Sequence, residues 1–136
     1  MANRIIIFDT AVFIDHLRTN KFKNHIQNLQ GLIRNSSVVL SELLRGATKK
    51  EEKDFVEILI KNYQILTPTE KNWIESGEIL WEINKGKGLS PEKLRDMHFD
   101  VLIAATARNY GATVITSNKS DFELIKGYKD FNLEIW

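Results

Sequence analysis

Short apolar runs that stop at a carboxylate or a hydroxyl set the rhythm of this chain. The first, Ile5-Ile6-Ile7-Phe8, closes at Asp9-Thr10 and is followed at once by Ala11-Val12-Phe13-Ile14. Apolar residues without polar alternation predict a strand buried on both faces, the habit of a central strand in a parallel sheet. A charge cannot sit inside such a strand, so Asp9 should mark its carboxyl end, the edge where ligands bind in open α/β sheets. Residues 10–17 read as a short, well-buried helix. Over 20–34, Phe22, Ile26, Leu29 and Ile33 recur at spacings of three and four, which predicts an amphipathic helix with Gly31 near its end. Val38-Val39-Leu40 is too short for a helix and reads as the second strand, entered through Asn35-Ser36-Ser37. Ser41 would then cap a following helix and place Glu42 in its first turn.

The pattern over 49–63 predicts a helix with Phe55, Val56, Leu59, Ile60 and Tyr63 on one face and Glu57 paired with Lys61 on the other. Gln64-Ile65-Leu66 reads as a short strand, and Thr67-Pro68 opens a helix whose stripe is Trp73, Gly77, Leu80 and Trp81, flanked by Ile74 and Ile83. That stripe is core or subunit interface, and Gly86-Lys87-Gly88 ends the helix. A short helical piece over 92–97 precedes the alanine-rich run after Asp100, which Gly111 stops, so Asp100 is expected in a first helical turn. Thr113-Val114-Ile115-Thr116 reads as the fourth strand. Its polar exit carries Asn118 and Asp121, and residues 131–136 alternate as a closing edge strand. Strands alternating with helices predict a three-layer α/β/α sandwich around a mainly parallel central sheet, a single domain over 1–136.

Composition changes this picture little. Hydrophobic content of 43% and charged content of 27% are those of an ordinary globular chain. No apolar run approaches the ~20 residues of a membrane span, and no signal peptide is expected. Cysteine is absent, which excludes disulfides and thiolate metal sites and fits a reducing cytoplasm. Nineteen Lys plus Arg against eighteen Asp plus Glu give no global signature of nucleic-acid binding.

The chemistry lies in the acids. Asp9, Glu42, Asp100 and Asp121 each follow a strand or open a helix on what should be one edge of the sheet. Each has a structural reading of its own: Asp9 and Asp100 as helix caps, Glu42 as a first-turn acid favoured by the helix dipole. Together they would repel unless a cation neutralises them or protons are retained. Hard oxygen ligands without cysteine or a histidine pair point to Mg²⁺ or Mn²⁺ rather than zinc. Such an ion suits phosphoryl chemistry. His16, His25 and His98 are scattered and read as surface or cap residues, and Asp15 and Asp96 as solvated or capping ones. There is no nucleophile elbow and no P-loop.

Four segments resemble the four motifs of PIN-domain nucleases: Phe8-Asp9-Thr10; Ser41-Glu42-Leu43-Leu44-Arg45-Gly46; Asp100-Val101-Leu102-Ile103-Ala104-Ala105-Thr106-Ala107; and Thr116-Ser117-Asn118-Lys119-Ser120-Asp121-Phe122. The similarity is greatest to VapC-type toxins of toxin–antitoxin modules. The resemblance implies that Asp9 and Asp100 are the principal Mg²⁺ ligands, Glu42 the third core acid and Asp121 a fourth acting through water. Thr116 and Asn118 would brace the pocket. It implies metal-dependent endoribonuclease activity, a homodimer, and inhibition by a cognate antitoxin. A non-catalytic RNA-binding module on the same fold is an alternative. A receiver or a haloacid-dehalogenase-like phosphatase fits less well, since the latter needs a second Asp where this chain has Ala11.

Overall fold

The computed structural model describes residues 4–136, so residues 1–3 of the domain expected over 1–136 lie outside the described residues. Five strands form one sheet: β1 (Ile5–Phe8), β2 (Leu32–Ser36), β3 (Ile65–Leu66), β4 (Thr113–Thr116) and β5 (Asn132–Ile135). Their order is β3-β2-β1-β4-β5, and every pairing is parallel. The central strand is β1, as its unbroken apolar run requires: Ile6 and Ile7 are fully buried. Ile7 and Val114 belong to the core shared with most of the helices. Ile6, Phe8 and Ile115 instead belong to a second, smaller core with Val12 and Phe22. A core on each face of the sheet makes the three layers of the α/β sandwich.

Seven helices connect the strands: α1 (Thr10–Thr19), α2 (Lys23–Gln27), α3 (Ser37–Gly46), α4 (Lys50–Asn62), α5 (Glu70–Lys87), α6 (Pro91–Tyr110) and α7 (Lys119–Tyr128). Three expectations need correction. The helix expected over 20–34 shrinks to α2, and Leu32 and Ile33 enter β2. Val38-Val39-Leu40 is no strand; it lies in α3, which Ser36 caps by accepting from the Val39 amide at 3.3 Å. The strand is therefore the polar stretch before it. Buried Asn35 is tolerated there because its amide donates to the Leu59 and Tyr63 carbonyls at the end of α4, at 2.7 and 3.1 Å.

The third correction concerns α6. The two pieces expected on either side of His98 are one helix, capped by Ser90 with Pro91 at its start and stopped by left-handed Gly111. Asp100 is therefore a mid-helix residue. Smaller differences follow the same logic. The helix α1 buries only Val12. In α4, Lys53 rather than Lys61 pairs with Glu57, at 3.9 Å, and Ile60 and Tyr63 are exposed. The buried face of α5 is Asn72, Ser76, Ile79, Leu80 and Ile83, which leaves Trp73, Gly77 and Trp81 of the expected stripe outside.

Candidate functional site

Four elements deliver acids to the carboxyl edge of the sheet. Asp9 leaves β1 with its amide still bonded to the Ile115 carbonyl at 2.9 Å, so its backbone is tied to the sheet. It stands at the N-cap of α1 but makes no capping hydrogen bond. Its carboxylate, only 3% exposed, instead accepts at 2.8 Å from the Thr116 hydroxyl at the end of β4. That hydroxyl accepts in turn from the Asn118 amide at 2.9 Å, which commits its proton to Asp9.

Glu42 is half-buried and accepts from the Thr10 hydroxyl at 2.9 Å, which links α3 to the start of α1. It is the sixth residue of α3, not a first-turn acid, so the helix dipole does not explain it. The same holds for Asp100 in mid-α6, where neither capping nor the helix N-terminus applies. Asp121, in the first turn of α7, accepts from the Asn118 side-chain amide at 3.2 Å. It also holds the Lys93 ammonium through both oxygens, at 2.9 and 2.8 Å.

These acids disturb one another. Burial pushes the Asp100 carboxyl up to about 8, and repulsion from Asp9, Glu42 and Asp121 adds to this while Lys93 offsets part of it. Burial also raises Asp9; the Thr116 hydroxyl opposes the rise, as do the nearby Thr10 and Ala11 amides, and Asp121 reinforces it. Glu42 is raised by burial and by Asp9, against the Thr10 hydrogen bond. Three carboxyls from three elements are thus each held above the ordinary carboxylate range by burial and neighbouring acids. Such a cluster suits a cation.

Among the described residues, no three His, Asp or Glu side chains converge closely enough to grip one ion as they stand. Glu42 is turned to Thr10 and Asp121 to Lys93. The donor set of carboxylate oxygens without thiolate or imidazole fits a hard ion such as Mg²⁺ or Mn²⁺. An ion there would have to draw those two acids from their present partners.

All six residues singled out in the sequence fall in this region: the charges of Asp9, Glu42 and Asp121 all act on Asp100, and Thr116 and Asn118 bond to Asp9 and Asp121. Of the other candidates, Asp96 adds its charge to Glu42. His98 bonds to buried Ser76 at 2.9 Å and lies edge-on to Trp73. Asp15 accepts from the Ser117 hydroxyl at 2.8 Å, and Asp96 is exposed. Sequence reasoning missed Thr10 and Lys93. Lys93 precedes Asp100 by two helical turns, a spacing that shares one face only once α6 is seen as continuous.

The architecture is a parallel α/β sheet with clustered acids beyond its central strands. The chain belongs to the PIN-domain family, whose model matches residues 6–127. No curated protein matches it at a comparable level. Among solved structures it is similar to a chain of VapBC2 from Rickettsia felis bound to a promoter DNA fragment. The identity is 26% over 97% of this chain and 98% of that one, with a TM-score of 0.71. A chain of DNA-bound VapBC from Salmonella typhimurium is 25% identical over 99% of both chains, with a TM-score of 0.67. The fold is shared more distantly by VapBC-5 of Mycobacterium tuberculosis, a member of the VapBC family of toxin–antitoxin systems. There the identity is 18% over 96% of both chains, with a TM-score of 0.60. Among the described residues, no helix is long and apolar enough to cross a membrane.

Proposed function

We propose that this PIN domain is a Mg²⁺-dependent endoribonuclease, a VapC-like toxin that cleaves cellular RNA and is neutralised by a cognate antitoxin. The observation that carries the reading is that Asp9, Glu42 and Asp100 are all raised by burial, with the charge of Asp9 adding to the rise at Glu42 and Asp100 and that of Asp121 adding to the rise at Asp9 and Asp100. Neither Glu42 nor Asp100 has a capping role that would otherwise explain it. Asp9 and Asp100 are the principal metal ligands in this reading, with Glu42 beside them and Asp121 acting through water. When bound, the ion supplies positive charge to the phosphodiester oxygens and acidifies a water. Thr116 keeps Asp9 oriented and Asn118 does the same for Asp121, while Glu42 would leave the Thr10 hydroxyl to meet the ion.

An antitoxin partner is supported by the VapBC complexes to which the chain is similar over almost its whole length. A homodimer is supported by the tryptophans that α5 leaves outside the core. The cytoplasm, where RNA and antitoxin both lie, is the compartment this reading requires. Arg45, exposed at the end of α3 with its guanidinium over the Phe99 ring at 5.0 Å, is a candidate contact for a single-stranded RNA backbone.

The test uses purified protein and structured RNA. Mg²⁺ or Mn²⁺ should support cleavage and chelator should stop it, while Asp9→Asn and Asp100→Asn should each lower the rate at least ~100-fold. Full Mg²⁺-dependent cleavage by both variants would overturn the assignment. RNA binding without cleavage under every metal would identify a non-catalytic module instead.

A further inference from the structure

Lys93 already places a cation on this acid cluster. Its ammonium, on the first turn of α6, reaches across to α7 and grips Asp121 through both carboxylate oxygens, at 2.9 and 2.8 Å. The two ends of this pair differ. The Asp121 side chain is 18% exposed and fixed by Asn118, whereas Lys93 is 42% exposed on a flexible stem. The Lys93 backbone is itself anchored, its amide donating to the Ser90 hydroxyl at 3.1 Å.

We propose that Lys93 is a resident counter-ion that competes with the divalent cation for Asp121 and is displaced when that cation enters. The inference rests on the metal-dependent reading above and assigns this chain's own residue a role within it. An ammonium bonded to one member of the acid cluster leaves less negative charge for an incoming ion and repels that ion directly. The same ammonium relieves repulsion among the carboxylates while the pocket is empty of metal. Lys93 therefore stabilises the metal-free fold and weakens metal affinity, and loss of its charge reverses both. A merely structural ion pair would do the first without the second. Because it acts through Asp121, Lys93 is a positioning residue.

The experiment is a titration of the full chain with Mn²⁺ and with Mg²⁺ by calorimetry, beside thermal unfolding in chelator. Lys93→Met should bind the ions about tenfold more tightly than the wild type. It should also unfold at lower temperature in chelator and recover more stability on adding metal. Lys93→Arg, which keeps the charge, should stay close to the wild type in both measurements. Metal bound by Lys93→Met and not by the wild type would be the same result in its strongest form. Unchanged or weaker affinity in Lys93→Met, with metal bound by the wild type, would overturn the counter-ion role and leave the nuclease reading standing. Absence of metal binding by every form would overturn both.

Discussion

The Thr116 hydroxyl donates to Asp9 Oδ2 at 2.8 Å across 107 positions of sequence, and the Asn118 amide fixes that hydroxyl from behind. The bond joins the ends of two adjacent strands, so the orientation of the most buried acid depends on the register of β1 and β4. Thr116→Val keeps the shape and removes the donor. It should cost about 1–3 kcal/mol in urea unfolding, because a buried acceptor loses its partner. It should also push the Asp9 carboxyl further up, since Thr116 opposes the rise caused by burial. The pH of half-maximal RNA cleavage should move upward, and Thr116→Ser should restore it.

The raised carboxyl of Asp100 gives the metal-free protein a pH dependence opposite to that of an ordinary salt-bridged Asp. Burial pushes it up to about 8 from the ordinary 3.8 of a free Asp. Between those limits the folded state holds a proton that the unfolded state has lost, so stability falls as pH rises. The contribution is full below about pH 4 and gone once pH passes through about 8. Unfolding temperatures in chelator should therefore decline across this window, and Asp100→Asn should flatten the decline. The variant should be more stable than the wild type at pH 8. A loss of stability in the variant across the whole range would mean that Asp100 is held by favourable contacts rather than by burial of charge.

What the sequence made legible divides along physical lines. The strand Ile5–Phe8 and its terminal Asp9 were readable because a run buried on both faces leaves no polar alternation. The second strand was not, because its buried Asn35 and Ser36 look like loop residues until α4 supplies the carbonyls and α3 the amide they bind. Asp100 was found as an acid but misplaced as a cap, since His98-Phe99-Asp100 resembles a helix start when viewed without Ser90-Pro91 as the true one. Lys93 stayed hidden for the same reason. A charged side chain in a mixed-charge stretch carries no signal until the helix places it on the face of the acid two turns away.

Gly31 occupies a place that no other residue fills without displacement. Its φ is +150°, and a Cβ there would meet Ile6 Cδ1 at 2.6 Å and the Arg4 carbonyl oxygen at 2.8 Å. Arg4 is tied at this point, its carbonyl accepting from the Leu32 amide at 2.8 Å as β2 starts beside β1. Backbone cannot yield as a side-chain tip can, so Gly31→Ala should cost upwards of about 1 kcal/mol. Urea unfolding measures this. The site acids lie at the other end of the strands, so cleavage by the fraction that remains folded should be unchanged.

The exposed face of α5 predicts the oligomeric state. Ile83 and Leu80 go into the core, but Trp73, Ile74 and Trp81 are 52%, 61% and 64% exposed. The Lys85 ammonium lies over the Trp81 ring at 5.0 Å, and Trp73 meets the edge of His98. Large aromatic surface left open on one helix is costly in water and marks an interaction site. A second copy of the chain is the occupant expected under the function proposed above, and a self-complementary patch of this kind needs anchors such as tryptophan at its centre. Light scattering on the wild type should give a dimer at micromolar concentration. Trp81→Glu places a charge on the patch without touching the core, so it should give a monomer with an unchanged unfolding temperature at matched low concentration. The acids come from a single chain, so the monomer should retain its Mg²⁺ affinity. A wild type that stays monomeric at high micromolar concentration would remove the second copy as the occupant of this face.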